Sequence, residues 1–100
     1  NARDFFNIKL NDGKMNKERG LVQYKNGGKS RPCVDDLIIF NDTEFGHAAI
    51  ITRVDEESIE VIQQNVWIIT RRKYDLEFKD GYYLINNNDP GNPAGWLRKQ

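Results

Sequence analysis

Three apolar runs follow one another closely between Leu37 and Thr70, and only short, mostly polar breaks separate each from the next. They are Leu37–Phe40, His47–Val54 and Ser58–Thr70. Their shortness and their Ile and Val content suit strands better than helices. The breaks between them, Asn41–Gly46 and Asp55-Glu56-Glu57, are too short for a crossover, so successive strands must run antiparallel. Gly81–Ile85 and Gly95–Arg98 extend the pattern, and the asparagine- and proline-bearing segment Asn86–Ala94 is the loop between them.

The first third of the chain reads differently. Ala2, Phe5 and Phe6 are spaced as on one helical face, and Asn1 suits a cap, so the spacing predicts an N-terminal helix within Asn1–Leu10. Asn11–Arg31 is rich in Asn, Gly and Lys, which marks loops, around a short apolar island at Leu21–Tyr24. Arg71, Arg72 and Lys73 read as a solvated strand end or turn, with a phosphate- or polyanion-binding role as the alternative. The expected fold class is α+β, an antiparallel β-sheet with a helix at its N-terminus.

Charge and cysteine content narrow the function classes. Fifteen basic and fifteen acidic residues cancel, which leaves no general footprint for nucleic acid. No apolar run approaches the length of a membrane span. The expected partners therefore include neither nucleic acid nor a membrane. Cys33 is the only cysteine, so no disulfide forms within the chain, which suits a reducing, cytoplasmic setting. One His and one Cys cannot make a usual zinc cluster, and neither a metal nor another cofactor is expected. The chain opens on Asn1 and its only methionine is Met15, so the expectation is one domain over residues 1–100, truncated at its N-terminus.

His47 is the residue with most chemistry to offer. It stands at the mouth of its strand, directly after Gly46. Alternation puts it on one face with Ala49 and Ile51, and puts Gln63 and Asn65 together with Ile59 and Val61. A three-residue loop at Asp55-Glu56-Glu57 would pair Val54 with Ser58. That register sets His47 opposite Asn65 and Ala49 opposite Gln63, all on one face. A two- or four-residue loop would turn Gln63 to the other side. The convergence has a use, because a catalytic imidazole moves a proton on one nitrogen while its other nitrogen is held. An amide oxygen of Gln63 or Asn65 would fix the tautomer without adding charge. The plainer alternative is a structural histidine beside two half-buried amides.

Several segments together resemble the CHAP family of cysteine, histidine-dependent amidohydrolases/peptidases. They are Pro32-Cys33-Val34-Asp35-Asp36-Leu37-Ile38-Ile39-Phe40, Gly46-His47-Ala48-Ala49-Ile50-Ile51, Ile62-Gln63-Gln64-Asn65 and Gly95-Trp96-Leu97. Asn1-Ala2-Arg3-Asp4-Phe5-Phe6 and the terminal Gly95-Trp96-Leu97 bring the likeness nearest to the amidase domain of glutathionylspermidine synthetase/amidase. The resemblance implies a papain-like half-domain whose upstream nucleophile helix is missing. A cysteine thiolate would attack an amide carbonyl, with His47 as general base and acid and with Gln63 and Asn65 as its partners. Gln63 departs from the family's usual glutamate, and Asp35 replaces a family glycine. Cys33 lies where the family has a variable residue, and the two acids beside it oppose a reactive thiolate, so a packing role is expected.

The implied substrate is the amide between glutathione and spermidine, or a related peptide-like amide; peptidoglycan is the other class. A homo-oligomer or a partner chain would cover the missing segment. The alternative is a catalytically dead binding or assembly module of the same family.

Overall fold

The apolar runs become neighbouring strands of a single antiparallel sheet. The structure, a computed structural model, describes residues 2–41, 46–64, 67–86 and 91–100. Its strands are β1 (Lys14–Asn16), β2 (Leu21–Lys25), β3 (Leu37–Phe40), β4 (His47–Val54), β5 (Ser58–Gln64), β6 (Ile69–Lys79), β7 (Tyr82–Asn86) and β8 (Gly95–Arg98). They lie in the order β1-β2-β8-β3-β4-β5-β6-β7. The sheet curls on itself. Its last strand returns to the segment after β2, where Gly27 N donates to Tyr83 O at 2.7 Å and Tyr83 N to Gly28 O at 2.8 Å. The concave face holds the core, which includes Ile38, Phe40, Ala49, Ile51, Ile59, Val61, Tyr74, Leu76, Ile85 and Trp96.

The expected α+β class is wrong. The chain is nearly all antiparallel β, with no α-helix among the described residues. Ala2–Phe5 makes only a 3₁₀ turn. Buried amides explain why. Gln23, 2% exposed, accepts from Asn7 N at 3.0 Å and donates from Nε2 to Asn7 O at 2.7 Å. Asn16 Nδ2 donates to Phe5 O at 3.1 Å. These bonds occupy backbone groups that a helix through Phe5–Asn7 would need for itself. Phe6 instead packs over Gly95, where an added Cβ would meet its ring at 2.7 Å and would also strike the Tyr24 carbonyl. The N-terminal helix that accompanied the papain-like expectation is absent among the described residues, and what stands here is a curled antiparallel sheet.

Two smaller expectations change. Ser58–Thr70 is not one stretch but the end-to-start junction of β5 and β6. Arg71, Arg72 and Lys73 lie within β6, the longest strand at 11 residues, rather than at a strand end. The proposed cap Asn1, residues 42–45 of the expected Asn41–Gly46 turn, and residues 87–90 of the expected Asn86–Ala94 loop lie outside the described residues.

Candidate active site

His47 begins β4 and pairs with Phe40, the last residue of β3. That pairing brings the two rings together. They stack with centroids 4.2 Å apart and planes 5° from parallel. Phe40 is in turn braced by Tyr74 at 5.6 Å. Phe40 is 1% exposed and Tyr74 5%, so the imidazole rests on an immobile floor. Gly46, with φ of 63°, turns the chain into the strand immediately before the histidine. The ring itself is half-buried. Sequence reasoning missed Phe40 as its platform, although pairing Leu37–Phe40 with the strand beginning at His47 would have found it.

Gln63 reaches the same face by a route other than a three-residue loop. The turn between β4 and β5 is shorter than that: Asp55 N donates to Ser58 O at 2.8 Å, and Val54 pairs with Ile59. Taken alone, this register would send Gln63 to the convex face. A β-bulge between Ile51 and Arg53 then shifts the ladder by one residue, and beyond it Ile51 pairs with Val61 and Ile50 with Ile62. Ala49, Ile51, Ile59 and Val61 are all buried on the concave side, and alternation carries His47 and Gln63 to that side. Gln63 is half-buried and pairs with Thr70 across β6. Asn65 lies outside the described residues.

Cys33 lies toward the far end of β4 from His47. Asp35 N and Ile51 are hydrogen-bonded through the Ile51 carbonyl at 2.8 Å, and Cys33 N donates to Asp36 Oδ2 at 2.8 Å. Arg31, two residues earlier, reaches the Asp55 carbonyl at the far end of β4. Ile51 and His47 are four residues apart on one strand, which is roughly 13 Å. Cys33 is therefore out of hydrogen-bond reach of the imidazole. Its thiol is exposed and lies 3.6 Å from the Arg31 carbonyl.

Asp35 and Asp36 have structural work at that end. Asp35 has φ of 76°, the left-handed region glycine favours, at the position where a glycine was expected from the family pattern. Asp36 is 1% exposed and takes a two-pronged contact from Arg98, with Nε to Oδ1 at 2.9 Å and Nη2 to Oδ2 at 2.8 Å. The Asp36 carboxylate, through these hydrogen bonds and its charge, raises Arg98 above the ordinary guanidinium value; burial pulls against it.

No grouping of His, Cys, Asp and Glu among the described residues could hold a metal ion. No helix among the described residues is long and apolar enough to cross a membrane.

Compared with known protein families, residues 1–65 match the CHAP domain. The match runs from the 3₁₀ turn through β5 and contains His47, Gln63 and Asn65. No curated protein matches the chain.

Proposed function

This chain belongs to the CHAP domain family, and from that premise we propose that it carries the histidine side of a cysteine amidase. Membership supports amidase- or peptidase-type hydrolysis as the reaction class. In the proposed step, His47 takes the proton of a cysteine thiol, and the thiolate attacks the amide carbonyl. His47 then gives that proton to the leaving amine. Water, deprotonated by His47, hydrolyses the thioester and restores the thiol. Gln63, with Asn65, holds the far nitrogen of the ring. One observation carries the reading: His47 is stacked on Phe40 at the start of β4, with Gln63 on that same face. The roughly 13 Å along β4 argues that the thiol it serves is not Cys33.

The finer proposal for substrate is a peptide-like amide such as the one joining glutathione to spermidine, and peptidoglycan peptides are the competing class. The test is hydrolysis of both by the protein as encoded, compared with His47→Ala and Cys33→Ala. His47→Ala should abolish turnover, and Cys33→Ala should leave it within about twofold. Loss of turnover in a folded Cys33→Ala variant would overturn the assignment.

A second reading is favoured by the same distance. A CHAP domain whose only thiol is beyond the reach of its histidine would serve as a binding or assembly module. Absence of any hydrolysis by the encoded protein would select it.

A further inference from the structure

Among the described residues, the neutral total charge conceals two local groupings. At one end of the β4–β7 leaf, around the β4–β5 and β6–β7 turns, Glu56, Glu57, Asp75, Glu77 and Asp80 line a shallow groove in which Lys73 and Lys79 are the only cations among the described residues. The other end, where β5 hands over to β6, is apolar and basic. Trp67 is 91% exposed, Ile68 64% and Ile69 66%. Ile50, 41% exposed, continues this surface through its pairing with Ile62 on the convex face. Three successive large apolar side chains exposed to this degree, one of them Trp, are not scattered surface residues.

The cations sit just beneath this tip. Ile62 pairs with Arg71 and Val61 with Arg72, so alternation sends one guanidinium to each face of the hairpin stem. Both are exposed. From Ile69 to the two arginines is roughly 7–10 Å along the strand. That is about the depth to which an interfacial segment buries its apolar face below lipid headgroups.

We propose that the Trp67–Ile69 tip docks on an anionic lipid bilayer, with Arg71 and Arg72 at the depth of the phosphates. Charge complementarity selects this occupant. Arginines on both faces of one stem suit a surface that surrounds the hairpin, and the acidic grouping points the rest of the leaf away from that surface. The expectation of no membrane partner rested on the lack of an apolar run long enough to span a bilayer, and docking at a bilayer surface needs no such run. The proposal does not depend on any chemistry at His47.

The test uses the intact chain and vesicles of phosphatidylcholine with or without phosphatidylglycerol. Trp96 is 0% exposed and stays silent, so any change in tryptophan emission reports Trp67. The expected results are a blue shift and cosedimentation with phosphatidylglycerol vesicles, both weakened by added salt. Replacing both arginines (Arg71→Gln with Arg72→Gln) should lower partitioning on the order of 25-fold, at about fivefold for each cation. Trp67→Ser should remove it while leaving the circular dichroism spectrum unchanged. Absence of partitioning at low ionic strength would overturn the proposal. So would partitioning that the Trp67→Ser variant retains, or a concentration-dependent dimer that Trp67→Ser disrupts without any vesicle binding.

Discussion

At the scale of single residues, the chain's one histidine makes its site open to direct measurement. His47 is the only imidazole, so its ring resonances can be followed without overlap. Gln63→Glu should move the His47 titration to higher pH, because a carboxylate on the same face favours the imidazolium. A group whose folded value is raised adds stability at low pH and loses it as pH rises through that value. The variant should therefore gain stability over the parent below the new midpoint for as long as the introduced carboxylate stays ionised. An unchanged titration would mean that Gln63 does not reach the ring. Asp35 poses a second residue-scale question, since an L-residue at φ of 76° is strained. The strain is small for Asp, roughly 1 kcal/mol, and glycine would give back about 0.4–1 kcal/mol through its freer unfolded state. Asp35→Gly should therefore change stability by less than about 0.5 kcal/mol, whereas Asp35→Val should cost about 2 kcal/mol in urea denaturation. This near-cancellation explains how the departure from glycine is tolerated.

At the scale of elements, the strands that matched expectation were those bounded by abrupt changes of polarity. β3, β4 and β8 begin and end where the apolar runs do. The longest strand, β6, was obscured because Arg71-Arg72-Lys73 dominates its first half. Its second half carried the signal: Tyr74, Leu76 and Phe78 alternate, and Asp80-Gly81 follows. Both turn residues have positive φ, 55° and 86°, between the paired Lys79 and Tyr82, so this is a two-residue hairpin loop of the primed kind. The N-terminal helix failed for the opposite reason, since its spacing was helical but its backbone partners were elsewhere. Gly95 marks that contact. Gly95→Ala should cost about 3 kcal/mol or more, because Cβ would press on a carbonyl as well as on the Phe6 ring. Thermal unfolding would measure it, and a shift of less than 1 °C would mean that Phe6 does not pack there.

At the scale of the molecule, closure depends on residues far apart in sequence. Asn26 is the principal clamp. Its side chain accepts from Ile85 N at 2.7 Å and donates to the Ile85 and Pro93 carbonyls, while its own N–H donates to Ala94 O. Asn26→Ala should cost about 3 kcal/mol and expose the Ile85 amide to rapid hydrogen exchange, because β7 loses a side-chain partner there. The Asp36–Arg98 pair closes the opposite side. Arg98→Met leaves a carboxylate buried with one charged partner gone and should cost about 3 kcal/mol, seen as a lower denaturant midpoint. The raised value of Arg98 means that its guanidinium stays charged as pH rises, so on the alkaline side this pair's contribution is lost only at extreme pH. Alkaline unfolding at lower pH would have to come from other groups.

The sequence alone determined the antiparallel character of the sheet, the position of His47 at a strand mouth and the segments that tie the chain to its family. All of these are local patterns of polarity, turn residues and motif spacing. Tertiary structure decided the rest. A bulge near Ile51 reset the register that short-range reasoning had assigned to the loop, because ladder alignment answers to burial along the whole strand. Buried amides at Asn16 and Gln23 overruled helical spacing, because backbone groups go to whichever partner satisfies them in the folded state. Cys33 and His47, separated by few residues in sequence, stand at opposite ends of two paired strands. Charges that cancel in the total still group locally, acids around the β4–β5 and β6–β7 turns and two arginines near the other end of β6, because the sheet sends these segments to opposite ends of its longest strands.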